Sequence, residues 1–357
     1  MIACTHEKLP LPTIPPAEEQ FPSYVNPEYI QINPPFDQTN GYSFNKPGDI
    51  YYGVDNFLYI ADTDNNRIVM MDQGGAIQGV SQFVPTPVRI TQNDSLALLV
   101  VSGTNAIYKL DMFDYQHNIA SIPIDTVFVE ETRPNHQYTG ITVHNGFEYY
   151  VTVIDRTPGS YKSYIYDFRR DNFLKGPLPL EQNGSGLFAT MLPTSIISLR
   201  EEHLDDNPSK EDTEGFIFSH TGKIDDIQVQ NFYKIQYVGT AIVEEDVILV
   251  PNIRLIGSDI YDFNKFYDVQ DVAIDRSGFM FAVESGMDSD QDEFQPGFYR
   301  FSSSGKQQQA LLKFGSGEAQ FNHPHGIAVS PNAEEDQVVY IADTGNDRIL
   351  RFKLSTD

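Results

Sequence analysis

One phrase is written twice in this chain, once near each end, and that repetition restricts the fold more than any other feature. The first copy, FNKPGDIYYGVDNFLYIADTDNNRIVMMD, runs from Phe44 to Asp72, and the second, FNHPHGIAVSPNAEEDQVVYIADTGNDRILRFKL, from Phe321 to Leu354. Both hold Tyr-Ile-Ala-Asp-Thr followed by Asn-x-Arg-Ile. Internal self-similarity marks an array of like units, each burying its apolar faces against the next.

Weaker copies fill the space between. Units open at Pro87-Val88-Arg89-Ile90, at Tyr138 to Val143, at Leu192 to Ile197 and at Val269 to Ile274. Each continues into two further β-like runs, such as FEYYVTVID (Phe147 to Asp155) and SYIYDF (Ser163 to Phe168) in the third. Gly, Asn, Asp and Pro turn signals separate the runs, and no long segment has helical spacing. Six units of three recognisable strands, with room for a fourth, describe an all-β, six-bladed β-propeller. A blade has two apolar faces and stacks around an axis to bury both.

The ring must also close. The last unit ends at its third strand, Arg348 to Leu354, so its outer strand has to come from elsewhere. Glu28-Tyr29-Ile30-Gln31-Ile32-Asn33 is the segment expected to supply it, giving a propeller over residues 28–357 behind an N-terminal stretch of residues 1–27.

That stretch has its own logic. Met1-Ile2-Ala3-Cys4 reads like the end of a lipoprotein signal, without the basic start and apolar run of a complete one. Cys4 is the chain's one cysteine, so no intrachain disulfide is possible. The proline-rich run from Thr5 to Pro27 suits an extended tether. A lipid on Cys4 would place the protein on the cell envelope and is the one membrane attachment expected, since no run is apolar enough to span a bilayer. The net charge of −26, from 50 acidic and 24 basic residues, argues against nucleic acid as a partner.

The strong units resemble NHL repeats, whose pattern runs Phe-x-x-Pro-x-Gly-Ile-Ala-Val and then Tyr-Val-Ala-Asp-Thr-x-Asn-x-Arg-Ile. Phe321, Pro324, Gly326, Ile327, Ala328, Val329, Asp343, Thr344, Asn346, Arg348 and Ile349 match it, as do Phe44, Pro47, Ile50, Asp62, Thr63, Asn65, Arg67 and Ile68. Asp49 stands where the first copy's glycine belongs, and the middle four units match in outline only. With its N-terminus, the chain resembles the NHL-type surface lipoproteins of Bacteroidetes-like bacteria. The resemblance implies an NHL/YWTD-like propeller. Lactonase-type relatives hold Ca²⁺ in the channel with carboxylates and Asn, and the NHL-type amidating lyase uses a channel metal with histidines.

The repeated Asp-Thr-x-Asn-x-Arg reads as turn chemistry, because short polar side chains satisfy turn backbone. A ligand site is better sought at the starts of the innermost strands. Aligning the units there places Gly48-Asp49, Val88-Arg89, Thr139-Gly140, Thr194-Ser195, Gln270-Asp271 and His325-Gly326 in equivalent positions. Asp49, Arg89, Thr139, Thr194, Gln270, Asp271 and His325 then form a mixed polar ring at one channel mouth. A wet channel with no ligand carries such a lining too. Asp49, Asp271 and His325 are the candidate metal ligands, and the oxygen-rich run holding Asp288, Asp290 and Asp292 is a weaker Ca²⁺ candidate lacking the glycine and terminal glutamate of an EF-hand.

The leading expectation is a non-enzymatic binding or scaffolding propeller on the bacterial cell envelope, taking a protein, peptide or glycan at the channel mouth or loop face. The alternative is a metal-dependent hydrolase or lyase working in the channel through Asp49, Asp271 and His325.

Overall fold

The computed structural model describes residues 27–355, apart from 145, 159–161, 179–191, 200–214, 222, 225–226, 229–232, 244–245, 252, 263, 290 and 333–335. Cys4 and the proline-rich stretch therefore lie outside the described residues. Six four-stranded antiparallel sheets form six blades of a β-propeller. Among the described residues the remaining regular structure is short 3-10 turns and one small hairpin, Lys223–Ile224 with Ile227–Gln228.

The innermost strands are Pro47–Tyr52, Pro87–Gln92, His136–His144, Pro193–Ser198, Val269–Ile274 and Gly326–Val329. Each packs against the next, and the last packs against the first. They are buried on both faces, which is why they do not alternate between apolar and polar residues.

Apolar clusters fill the seams between blades. Ile60, Ala342 and Ile349 sit in the cluster joining the sixth blade to the first. Ile68, Val100 and Leu110 join the first to the second. Ile165, Ile196 and Phe216 lie between the third and fourth. Burying both faces of every sheet is the main favourable term in forming the ring.

The chain closes on itself as the sequence suggests. Tyr29–Gln31 pairs antiparallel with Arg348–Leu354, with Tyr29 opposite Leu354 and Gln31 opposite Phe352. Phe36 exchanges two backbone hydrogen bonds with Ile349. At the seam between the sixth and first blades, the Thr344 hydroxyl donates to the Pro47 carbonyl at 2.7 Å and the Lys46 N–H donates to Asp347 Oδ1 at 2.7 Å.

The repeated Asp-Thr-x-Asn-x-Arg builds the turns. Asp343 accepts from the Asn322 N–H at 2.7 Å, Asn346 Nδ2 at 2.8 Å and Arg348 Nε at 2.7 Å. Asp62 accepts from Asn45, Asn65 and Arg67 in the same arrangement. Arg348 goes on to donate to the carbonyls of Ser316, Gly317 and Gln320. No described helix is long and apolar enough to cross a membrane.

Candidate functional site

The six aligned dipeptides occupy equivalent places around the channel. In the first five blades the pairing register shifts at the start of the innermost strand, leaving Gly48, Val88, Thr139, Thr194 and Gln270 bulged. A bulge inserts one unpaired residue and re-aims its neighbour. The next residues, Asp49, Arg89, Gly140, Ser195 and Asp271, then sit opposite the second strand at matching positions, and Gly326 takes the sixth place opposite Ala342.

Two of the six are glycines because the strands nearly touch there. A Cβ on Gly326 would lie 2.7 Å from Asp49 Cα, and one on Gly140 would lie 3.0 Å from Ser195 Cα. No side chain fits between the sixth and first blades or between the third and fourth at that level.

Arg89 fills the mouth. It is 7% exposed, and its guanidinium donates to four backbone carbonyls. Nη1 reaches Gly48 and Val88, each at 2.7 Å, and Nη2 reaches Gln270 at 2.7 Å and His325 at 3.2 Å. These carbonyls belong to the first, second, fifth and sixth blades, so one side chain ties four of the six together. A planar guanidinium with five donors can bridge this many acceptors, which an ammonium cannot do.

The two carboxylates are turned to backbone. Asp49 Oδ2 accepts the Ile90 N–H at 2.8 Å, reaching from the first blade to the second. Asp271 Oδ1 accepts the Val272 N–H and the Ser195 hydroxyl proton, and its Oδ2 accepts the Ile327 N–H at 2.9 Å. Asp271 thus links the fourth, fifth and sixth blades.

Burial pushes the Asp49 carboxyl up to about 7, with the charge of Asp271 adding and that of Arg89 opposing. Asp271 moves up for the same chief reason. The charge of Arg89 acts on both acids against the effect of burial. Burial, the Arg89 charge and His323 push His325 down to about 3, so its ring is neutral.

Thr139 and Thr194 are seam residues. Their hydroxyls donate to the carbonyls of Pro193 and Val269, each at 2.6 Å. Thr63 and Thr344 make the same kind of bond from their turns. Gln270 Nε2 donates to Asp268 Oδ1 at 2.7 Å. His323 Nε2 pairs with Asp288 Oδ1 at 2.8 Å. Asp288 is exposed and Asp292 half-buried, while Asp290 lies outside the described residues.

A calcium ion asks for six to eight oxygens with anionic ligands free to turn inwards. At this mouth the carbonyl oxygens are aimed at Arg89 and both carboxylates are engaged by N–H groups. The residues therefore do not fit a channel metal. Below Arg89 the channel keeps a cavity of about 70 Å³ lined by Tyr51, Thr91, Thr142, Ile197, Ile274 and Val329. That is room for a few waters and is far below the size of a small-molecule site.

The sequence reading passed over two clusters. His144, Glu148 and Asp167 bring metal-type ligand atoms within 4.8 Å of one another at one end of the third blade. Lys175 Nζ already sits 2.8 Å from Glu148 and 3.1 Å from Asp167, offsetting one of their two negative charges. The other cluster surrounds His136 at the opposite end of the same blade.

No protein-family model matches the chain, and no curated protein matches it. Solved structures do. A gluconolactonase from Xanthomonas campestris superposes with a TM-score of 0.56 at 9% identity, covering 92% of this chain and 97% of that one. Regucalcin from Agrobacterium tumefaciens, a calcium-binding protein, gives 0.52 at 11% identity over 91% and 90%. An auxiliary nutrient binding protein from Bacteroides thetaiotaomicron gives 0.56 at 12% identity over 91% and 76%. At such identities the likeness is one of fold, and this chain is a six-bladed β-propeller.

Proposed function

We propose that this chain is a binding propeller of the bacterial cell envelope, with its channel closed by Arg89 and its loop faces left for a ligand. The carrying observation is the bridge from Arg89 to four carbonyls. A lactonase-like or lyase-like centre would need a divalent ion where that guanidinium stands. The fold likeness to a nutrient binding protein supports the reading. So do the NHL-like repeats and the Cys4 tether, which would hold the propeller at the membrane through lipid.

Metal analysis of the purified protein, paired with hydrolysis of gluconolactone with and without Ca²⁺, tests this. Neither a stoichiometric ion nor turnover is expected. Turnover that a chelator abolishes would establish the channel enzyme instead. For the anchor, Cys4→Ser is expected to move the protein from the membrane fraction to the soluble one.

A further inference from the structure

At the seam between the sixth and first blades an open cavity of about 420 Å³ lies on the end where the innermost strands start. Its size falls within the range of small-molecule sites. The turns of the two strong repeats wall it, with Asn65 from one and Asn346 from the other. Asp37, Gln38 and Thr39 of the closing segment complete the wall.

One side chain sets the two repeats apart here. Asn45 and Asn322 hold the same place in the two copies. Each N–H donates to the turn aspartate, and each carbonyl accepts from the turn backbone. The Asn322 amide folds onto its turn and donates to the Gly345 carbonyl at 3.0 Å. Glycine permits this, since a Cβ at 345 would lie 2.7 Å from Asn322 Cγ. The first copy has Asp64 in that place, and its Cβ excludes the same fold. The Asn45 amide accordingly makes no side-chain hydrogen bond among the described residues, and it lines the cavity.

The other lining groups are rich in acceptors. Asn65 Nδ2 donates to Ser43 and Asp62, and Asn346 Nδ2 to Gly315 and Asp343, which leaves each Oδ1 as an acceptor in a fixed amide. Asp37 and Asp347 hold backbone N–H groups with Oδ1 and keep Oδ2. Arg348 directs its donors to Asp343 and to three carbonyls, so the one cation of the lining has none to offer an anion. A ligand rich in hydroxyl donors and without negative charge answers these groups. The Asn45 amide, donor and acceptor at once, then matches a hydroxyl or a ring oxygen. We infer that this cavity binds a neutral sugar, with Asn45 as the side chain freed from the repeat to meet it. This rests on the binding-propeller reading and names a ligand class for it.

Calorimetric titration of the full chain with glucose, galactose and mannose, and with glucuronate and glucosamine, tests the inference. At least one neutral hexose is expected to bind, and glucuronate about tenfold more weakly than the best of them. Asn45→Ala should weaken that hexose about tenfold, the value of one or two hydrogen bonds, with the melting temperature unchanged. Asp64→Gly lets the Asn45 amide fold onto its turn as Asn322 does, and should weaken binding to the same extent. The inference is overturned if none of the three hexoses gives heat, if glucuronate or glucosamine binds as tightly as the best of them, or if either variant keeps wild-type affinity. Gluconolactone hydrolysis on the same preparation reports separately on the binding-propeller reading.

Discussion

The ring of Tyr29 meets that of Phe298 edge-on, with centroids 5.0 Å apart and planes at 67°. Phe298 belongs to the fifth blade, so the strand Tyr29–Gln31 grips two blades, pairing with the sixth and packing on the fifth. Tyr29→Ala should cost about 3 kcal/mol in denaturant melts, within the range for deleting a large buried side chain. Removing residues 28–33 should cost more. An unchanged midpoint for the deletion would show that closure contributes nothing.

The two strong turns are alike in bonds and unlike in burial. The Arg348 side chain is 8% exposed and Arg67 27%, each with its Nε 2.7 Å from a fully buried aspartate. Asp343→Ala leaves a nearly buried cation without its carboxylate and should cost about 3–5 kcal/mol. Asp62→Ala, where water reaches the arginine, should cost about half as much. Equal losses in urea unfolding would mean that burial of the arginine does not decide the matter.

Asp49 imposes a pH dependence whose sign follows from its burial. Unfolded, the carboxyl loses its proton near 3.8, while folded it keeps it to about 7. Between those values the native state binds more protons than the unfolded one, so stability falls as pH rises through the window and levels off above it. Glu284, held up to about 7 chiefly by burial, acts in the same direction. Asp49→Asn keeps an acceptor for Ile90 and removes the titration. Its melting temperature relative to the wild type should rise steadily across that window, and a constant offset would contradict the assignment.

Arg89→Lys retains the charge and loses the planar fork. A single ammonium cannot meet four carbonyls in four blades. Chemical denaturation should show a loss of about 2–4 kcal/mol, with Arg89→Ala at or beyond the upper end. Wild-type stability in the alanine variant would remove the hub role of this residue.

The repeat made the architecture legible because each copy carries its own register. Once Phe44 to Asp72 and Phe321 to Leu354 are aligned, the starts of all six innermost strands follow, and Asp49, Arg89, Ser195 and Asp271 fall on one ring. What that ring does was not legible. Whether a polar ring is open or filled depends on side-chain reach, and alignment shows position without reach. A lone arginine between two aspartates was the available signal, since it neutralises the charge a cation would need. His136 and Arg133 escaped notice because they have no counterpart in the repeat, and their link through Tyr166 joins residues 30 and 33 positions apart.

The antiparallel pair between Tyr29–Gln31 and Arg348–Leu354 also has a consequence for the order of events in the chain's birth. The partner of the first described strand is the last described strand. Earlier blades can form as they emerge, and the ring stays an open arc until Leu354 exists. Throughout synthesis Ile30 and its neighbours wait as an unclaimed β-edge, the kind of surface that chaperones and other nascent chains compete for. Closure is thus the last of these blade contacts to become available, and the protein becomes a ring only once the sixth blade has been made.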